Sequence, residues 1–113
     1  MPPHGPGPQP PSDGRPFFLI LTITVKDAAS TDELGEILKG QKDWSLAQGA
    51  KSFSIGRNVS ENSVSIVERY DDVDGFHGVH SPPQKTVEYI ATRERIMELE
   101  GKISVTFFHT VDF

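Results

Sequence analysis

Phe17 to Lys26 reads FFLILTITVK. In an extended chain successive side chains alternate between two faces. Leu19, Leu21, Ile23 and Val25 therefore share one side, and Phe18, Ile20, Thr22 and Thr24 the other. Both sides begin apolar. A strand with one wet face alternates cleanly between apolar and polar, whereas one covered on both faces does not. The stretch is predicted to be a strand with something packed on each side.

Downstream, Ser30-x-x-Glu33 has the pattern of a capping box, in which a hydroxyl and a carboxylate satisfy free amides of a first helical turn. Leu34, Ile37, Leu38, Trp44 and Ala47 follow at helical spacing, and Gly49 is the expected terminator. Gly35 and Gly40 each cost about 1 kcal/mol against alanine in such a helix. Lys51–Arg57 and Ser63–Asp71 read as strands joined by the polar turn Asn58–Asn62, a hairpin. Asp72–Val79 reads as a short helix or turn. Pro82 and Pro83 mark a fresh helix start, with Val87, Ile90, Ala91, Glu94 and Met97 along one face and Gly101 at its end. Lys102–Val111 is the last strand.

The order strand, helix, strand, strand, helix, strand with right-handed crossovers predicts an α+β, ferredoxin-like βαββαβ domain. Its four-stranded antiparallel sheet carries both helices on one face. The other face is then bare yet apolar, because each side of the first strand is apolar and the last strand has Phe107 on one side and Phe108 on the other. An exposed apolar patch of several hundred Å² is unusual on a soluble monomer. A second copy about a two-fold axis is the expected cover. The expectation is a homodimer whose two facing sheets make a dimeric α/β barrel.

Upstream, residues 1–16 read MPPHGPGPQPPSDGRP, more than half proline and glycine, and are expected to be a disordered arm. The folded domain is expected to span 17–113, a length suited to one core. Cysteine is absent from the 113 residues, which excludes disulfides, zinc–thiolate sites, iron–sulfur clusters and cysteine nucleophiles. A net charge of −5 with scattered lysines and arginines speaks against nucleic acid. No apolar run approaches the roughly 18 residues of a membrane span, and no signal peptide is visible. A soluble, cytoplasmic protein is expected.

Val64 to Pro82, VSIVERYDDVDGFHGVHSP, resembles the antibiotic-biosynthesis monooxygenase family of dimeric α/β barrels. That family's pattern is a strand ending in Glu-x-aromatic, an acidic turn, a short helix with a histidine, then Ser-Pro and the long second helix. Glu68, Tyr70, Asp72, Phe76, Ser81 and Pro82 match it, and Gln48-Gly49-Ala50 resembles the family's Pro-Gly turn. The resemblance covers nearly all of 17–111. The family's histidine falls where Val79 stands here, and Ser-Pro comes one residue early. Either a helix shortened by one residue hands the role to His80, or the role is absent.

The resemblance implies a cofactor-independent monooxygenase acting on hydroxylated aromatic or polyketide-type molecules. The alternatives are a polyketide cyclase and a non-catalytic, ligand-binding homodimer. A phenol deprotonated in a dry pocket can itself reduce oxygen, so a base and hydrogen-bond donors suffice. No cofactor and no metal are expected. His80 is the first candidate base, because histidine titrates near neutrality. His109, in register with Val105 and Phe107, is the second, and Tyr70 is a candidate donor. Trp44, Phe76, His77 and Phe108 are candidate substrate contacts, and Glu68 is expected to organise the turn. Arg57 and Asn58 at the hairpin tip suit an anion but are more simply solvated. The asparagine that haem-degrading relatives carry in the first strand has no counterpart in FFLILTITVK.

Overall fold

The computed structural model describes residues 9–81 and 86–110. The elements are β1 (Phe17–Thr24), α1 (Ala28–Lys39), α2 (Lys42–Gln48), β2 (Ser52–Arg57), β3 (Ser63–Tyr70), α3 (Val73–His80), α4 (Val87–Glu98) and β4 (Lys102–His109). The strands form one antiparallel sheet in the order β2-β3-β1-β4. Both crossovers of the ferredoxin-like plan are present. Among the described residues no helix is long and apolar enough to cross a membrane.

The register puts Leu19 between Glu68 and Phe107, and Ile23 between Val64 and Ile103. These side chains face the helices, and two core clusters sit there. One gathers Ile23, Val25, Leu34, Leu38, Phe53, Val64, Ile66, Ile96 and Leu99. The other gathers Phe17, Leu19, Ala50, Tyr70 and Val79, with Trp44, Phe76, Val105 and Phe107 packed against it. Burying each large apolar side chain contributes roughly 1.5–3 kcal/mol. The outer face carries Phe18 and Ile20 of β1, Val67 of β3 and Phe108 of β4. At its centre Thr22 and Ser65 share a 2.8 Å hydrogen bond.

The barrel expected from the sequence is not formed. The sheet stays open, with β2 at one edge and β4 at the other and no strand among the described residues pairing beyond them. A sheet closes only when its first and last strands bond to each other, and here β3 and β1 separate them. Four strands with helices on one face make an open two-layer sandwich.

Three local expectations also change. The first helix starts earlier, because Asp27 is the N-cap and its Oδ1 accepts the Ser30 N–H at 2.7 Å, so Ser30 lies inside the helix. The Ser30–Ala47 run then divides at Gly40 into α1 and α2. The inward face of α4 is not the predicted one. Val87 and Met97 are 80% and 74% exposed, while Ile96 and Leu99 are buried. The predicted stripe had Glu94 in its middle, and burying an unpaired carboxylate is costly. The stripe that faces inward runs through Tyr89, Thr92, Ile96 and Leu99, and its polar members find partners. Gln41 Nε2 donates to Thr92 Oγ1 at 2.8 Å, and Tyr89 packs on Trp44 at 5.9 Å. The helix start predicted at Pro82 and Pro83 lies outside the described residues.

Within the expected arm, residues 1–8 lie outside the described residues. Residues 9–16 contain neither helix nor strand, and they are fastened to the end of β4. His109 Nε2 meets Asp13 Oδ2 at 2.9 Å, and Thr110 N donates to Pro16 O at 3.3 Å.

The Asp27 cap makes a pH prediction. The Ser30 amide holds the Asp27 carboxyl below its ordinary value of 3.8. A carboxyl lowered by folding stabilises fully above its unfolded pKa and loses that contribution as pH falls through the folded one. Asp27→Ala is therefore expected to lower the denaturant midpoint at about pH 6 and to differ less from wild type at about pH 3. Urea titrations at the two pH values check it.

Candidate functional site

β3 places Glu68 on the helix face, between Leu19 of β1 and Phe53 of β2. Only 1% of Glu68 is exposed. A carboxylate so deep in an apolar layer requires a partner. The partner is His80, the last residue of α3, whose Nε2 lies 2.9 Å from Glu68 Oε1. α3 starts where Asp72 caps it by accepting from Gly75 N at 3.1 Å. Two turns later the helix delivers its final residue over Glu68.

The His80 ring is held on several sides. Phe76 and Tyr70 meet it edge-on with centroids at 5.0 and 6.2 Å. The Tyr89 hydroxyl donates to the His80 carbonyl at 3.2 Å, tying α4 to the end of α3.

This pair lies at the wall of a cavity of about 140 Å³ between sheet and helices. Leu21, Ile23, Leu38, Phe53 and Ile66 supply apolar lining, while Glu68, His80, Trp44 and Tyr89 supply polar atoms and rings. About 150 Å³ of apolar space admits a benzene-sized guest. Trp44 Nε1, Glu68 Oε2 and Tyr70 Oη are buried in this region without hydrogen-bond partners. Natural folds leave few such atoms, because each costs about 1–3 kcal/mol.

Of the sequence candidates, His80 and Trp44 line the cavity. Tyr70 lies fully buried behind it, where burial and then the Glu68 charge hold its phenol far above the usual range, so it is a neutral hydroxyl. Phe76 belongs to an aromatic stack with Tyr70 and Phe107. His77 is exposed on α3 and touches Phe76. His109 is at the far end of β4 with Asp13, and Phe108 is on the outer face, half exposed. Arg57 is paired with Asp32 rather than free at the hairpin tip.

Sequence reasoning gave Glu68 a turn role and passed over Tyr89 and Arg93, which also line the cavity. The signal for Glu68 was present. It is the one charge in the inward series Val64, Ile66, Glu68, Tyr70, and a lone acid in a buried alternation needs a partner.

No protein-family model and no curated protein matches this chain. Solved structures do. SnoaB, a cofactor-independent oxygenase from Streptomyces nogalater, is 14% identical, covers 88% of this chain and 96% of its own, and superposes with a TM-score of 0.69. A dimeric ferredoxin-like protein from an uncultured marine organism is 17% identical over 88% of this chain and 90% of its own, with a TM-score of 0.69. Rv0793 from Mycobacterium tuberculosis is 17% identical over 87% and 97%, with a TM-score of 0.70. What they share with this chain is the fold. Chemistry must be argued from the site, since one fold hosts many activities.

Proposed function

We propose that this chain is an oxidoreductase-like enzyme, a cofactor-independent monooxygenase acting on small hydroxylated aromatic molecules. The single observation that carries it is the His80–Glu68 pair at the wall of an apolar cavity, 2.9 Å apart with Glu68 buried. With Nε2–H donated to Glu68 Oε1 the lone pair is left on Nδ1, the arrangement of a histidine base oriented by an acid. His80 takes the phenolic proton. The resulting phenolate reduces dioxygen: one oxygen atom bonds to a hydrogen-bearing ring carbon ortho or para to the phenolate, and the proton passes from His80 to the other oxygen to give a hydroperoxide. Loss of water from the hydroperoxide leaves a quinone. The apolar lining keeps water out. The fold shared with an oxygenase supports the same reading.

The test is turnover of hydroquinones and anthrones by metal-stripped protein, with and without air. Oxygen-dependent conversion that survives chelation is expected. Ligand binding without conversion would leave a binding protein.

A second copy is the expected partner, on the outer sheet face. Phe18, Ile20, Val67 and Phe108 lie there, with Phe108 50% exposed, and one protein of the same fold is described as dimeric. Ile20→Lys is expected to convert dimer to monomer in light scattering, because a charge would be buried on both sides of the two-fold. An unchanged mass would move the interface elsewhere.

A further inference from the structure

Arg93 stands at the cavity without an anion. α4 carries two arginines. Arg95 is engaged by Glu33 of α1 and Glu98 of its own helix. Arg93 has no carboxylate partner among the described residues, and its guanidinium carbon lies 5.9 Å from the Tyr89 ring centroid. Both Arg93 and Tyr89 line the cavity. They are one helical turn apart and so share a face. A guanidinium over an aromatic ring is steadied there while its fork of N–H donors stays available.

The polar groups of the cavity are ordered along this wall. Tyr89 bonds the His80 main-chain carbonyl through its hydroxyl and offers its ring to Arg93, so its ring lies between the end of α3 and the guanidinium. Trp44, 5.9 Å from Tyr89 with planes 40° apart, brings a second ring to the same wall. Aliphatic side chains complete the lining. A ligand matching this order has a hydroxyl at one end, an aromatic ring in the middle and an anion at the other end. Planar, bidentate recognition by a single arginine fits a carboxylate. A phosphate dianion calls for more positive charge than one arginine supplies, and the Glu68 carboxylate nearby opposes a second negative charge.

We infer that the ligand is a hydroxyaryl carboxylic acid, its carboxylate held by Arg93 at the cavity mouth and its hydroxyl directed to His80 and Glu68. The inference rests on the cavity being the ligand site, which the proposed oxygenase activity shares, but not on any chemical step.

The experiment is titration of the intact chain with 2,5-dihydroxybenzoate, its methyl ester and hydroquinone, followed by fluorescence of Trp44, the single tryptophan. Wild type, Arg93→Gln, Arg93→Lys and His80→Ala are compared. Wild type is expected to bind the acid about tenfold more tightly than the ester, equivalent to about 1.4 kcal/mol. Arg93→Gln is expected to abolish that preference while ester affinity stays within about twofold. Arg93→Lys should restore part of it. His80→Ala should keep it, which separates this inference from the role of His80. Equal binding of acid and ester by wild type, or a preference that survives Arg93→Gln, overturns it. Absence of binding by all three ligands overturns both this inference and the reading of the cavity as the ligand site.

Discussion

His80→Ala is expected to lower aerobic turnover of a hydroquinone by about 10²–10⁴-fold, the usual contribution of a general base, with the fold intact. The residue ends α3 and its ring packs on Phe76 and Tyr70, so truncation also costs stability. Breaking the pair leaves Glu68 buried without its partner, and such a loss is about 3–5 kcal/mol. The informative comparison is therefore with Glu68→Gln, which keeps a hydrogen-bond acceptor for Nε2–H and removes the charge. A base oriented by a carboxylate predicts that Glu68→Gln folds near wild type, with kcat reduced and its pH profile displaced. A purely structural pair predicts altered thermal midpoints and an unmoved pH profile. Thermal melts and pH–rate curves on the same preparations distinguish them.

Gly78→Ala is expected to be among the most damaging single-methyl changes at the described residues. α3 docks on the end of α2 backbone against backbone. A Cβ at Gly78 would stand 2.4 Å from Gln48 O, and one at Gly49 would stand 2.7 Å from Gly75 O. Gly49 also has a φ of +148°, where side chains are strained. Main-chain atoms cannot rotate away as a side chain can, so α3 must lift off α2. The expected loss is about 2–4 kcal/mol, or roughly 10–25 °C in the midpoint for a domain of this size. Gly35→Ala is the control. Its Cβ meets nothing within 4 Å on α1, and it should raise stability by up to about 1 kcal/mol. Because α3 carries His80 and α2 carries Trp44, Gly78→Ala should weaken ligand binding as well. Denaturant melts with and without ligand measure both effects. A Gly78→Ala protein as stable as wild type would mean that the contact between α2 and α3 is loose.

Much of this molecule follows from local rules. The two-sided apolar run at Phe17–Thr24, the hairpin closed by Asn58–Asn62 and the acidic start of α3 each announce themselves within a few residues. A strand's two-residue period and a helix's cap need no distant partner to be recognised. Element order and handedness then leave one economical plan, and the observed sheet has it.

What the sequence by itself determined is thus the four strands, the order of strands and helical segments, the two faces of β1 and the exclusion of every cysteine-based chemistry. The tertiary structure decided the rest. It selected between the two stripes of α4, because Tyr89 and Thr92 find hydrogen-bonding and ring partners on α2, α3 and the segment before α2, whereas Glu94 would have been buried alone. It left the sheet open, because strand order is a property of the whole chain. It parted the four histidine and tyrosine candidates, sending His109 to Asp13, leaving His77 in solvent, burying Tyr70 and joining His80 to Glu68. Glu68 and His80 are twelve residues apart, and Arg93 reaches their cavity from another helix. Periodicity assigns a residue to a face of its own element, but only packing between elements brings two such faces within hydrogen-bond distance.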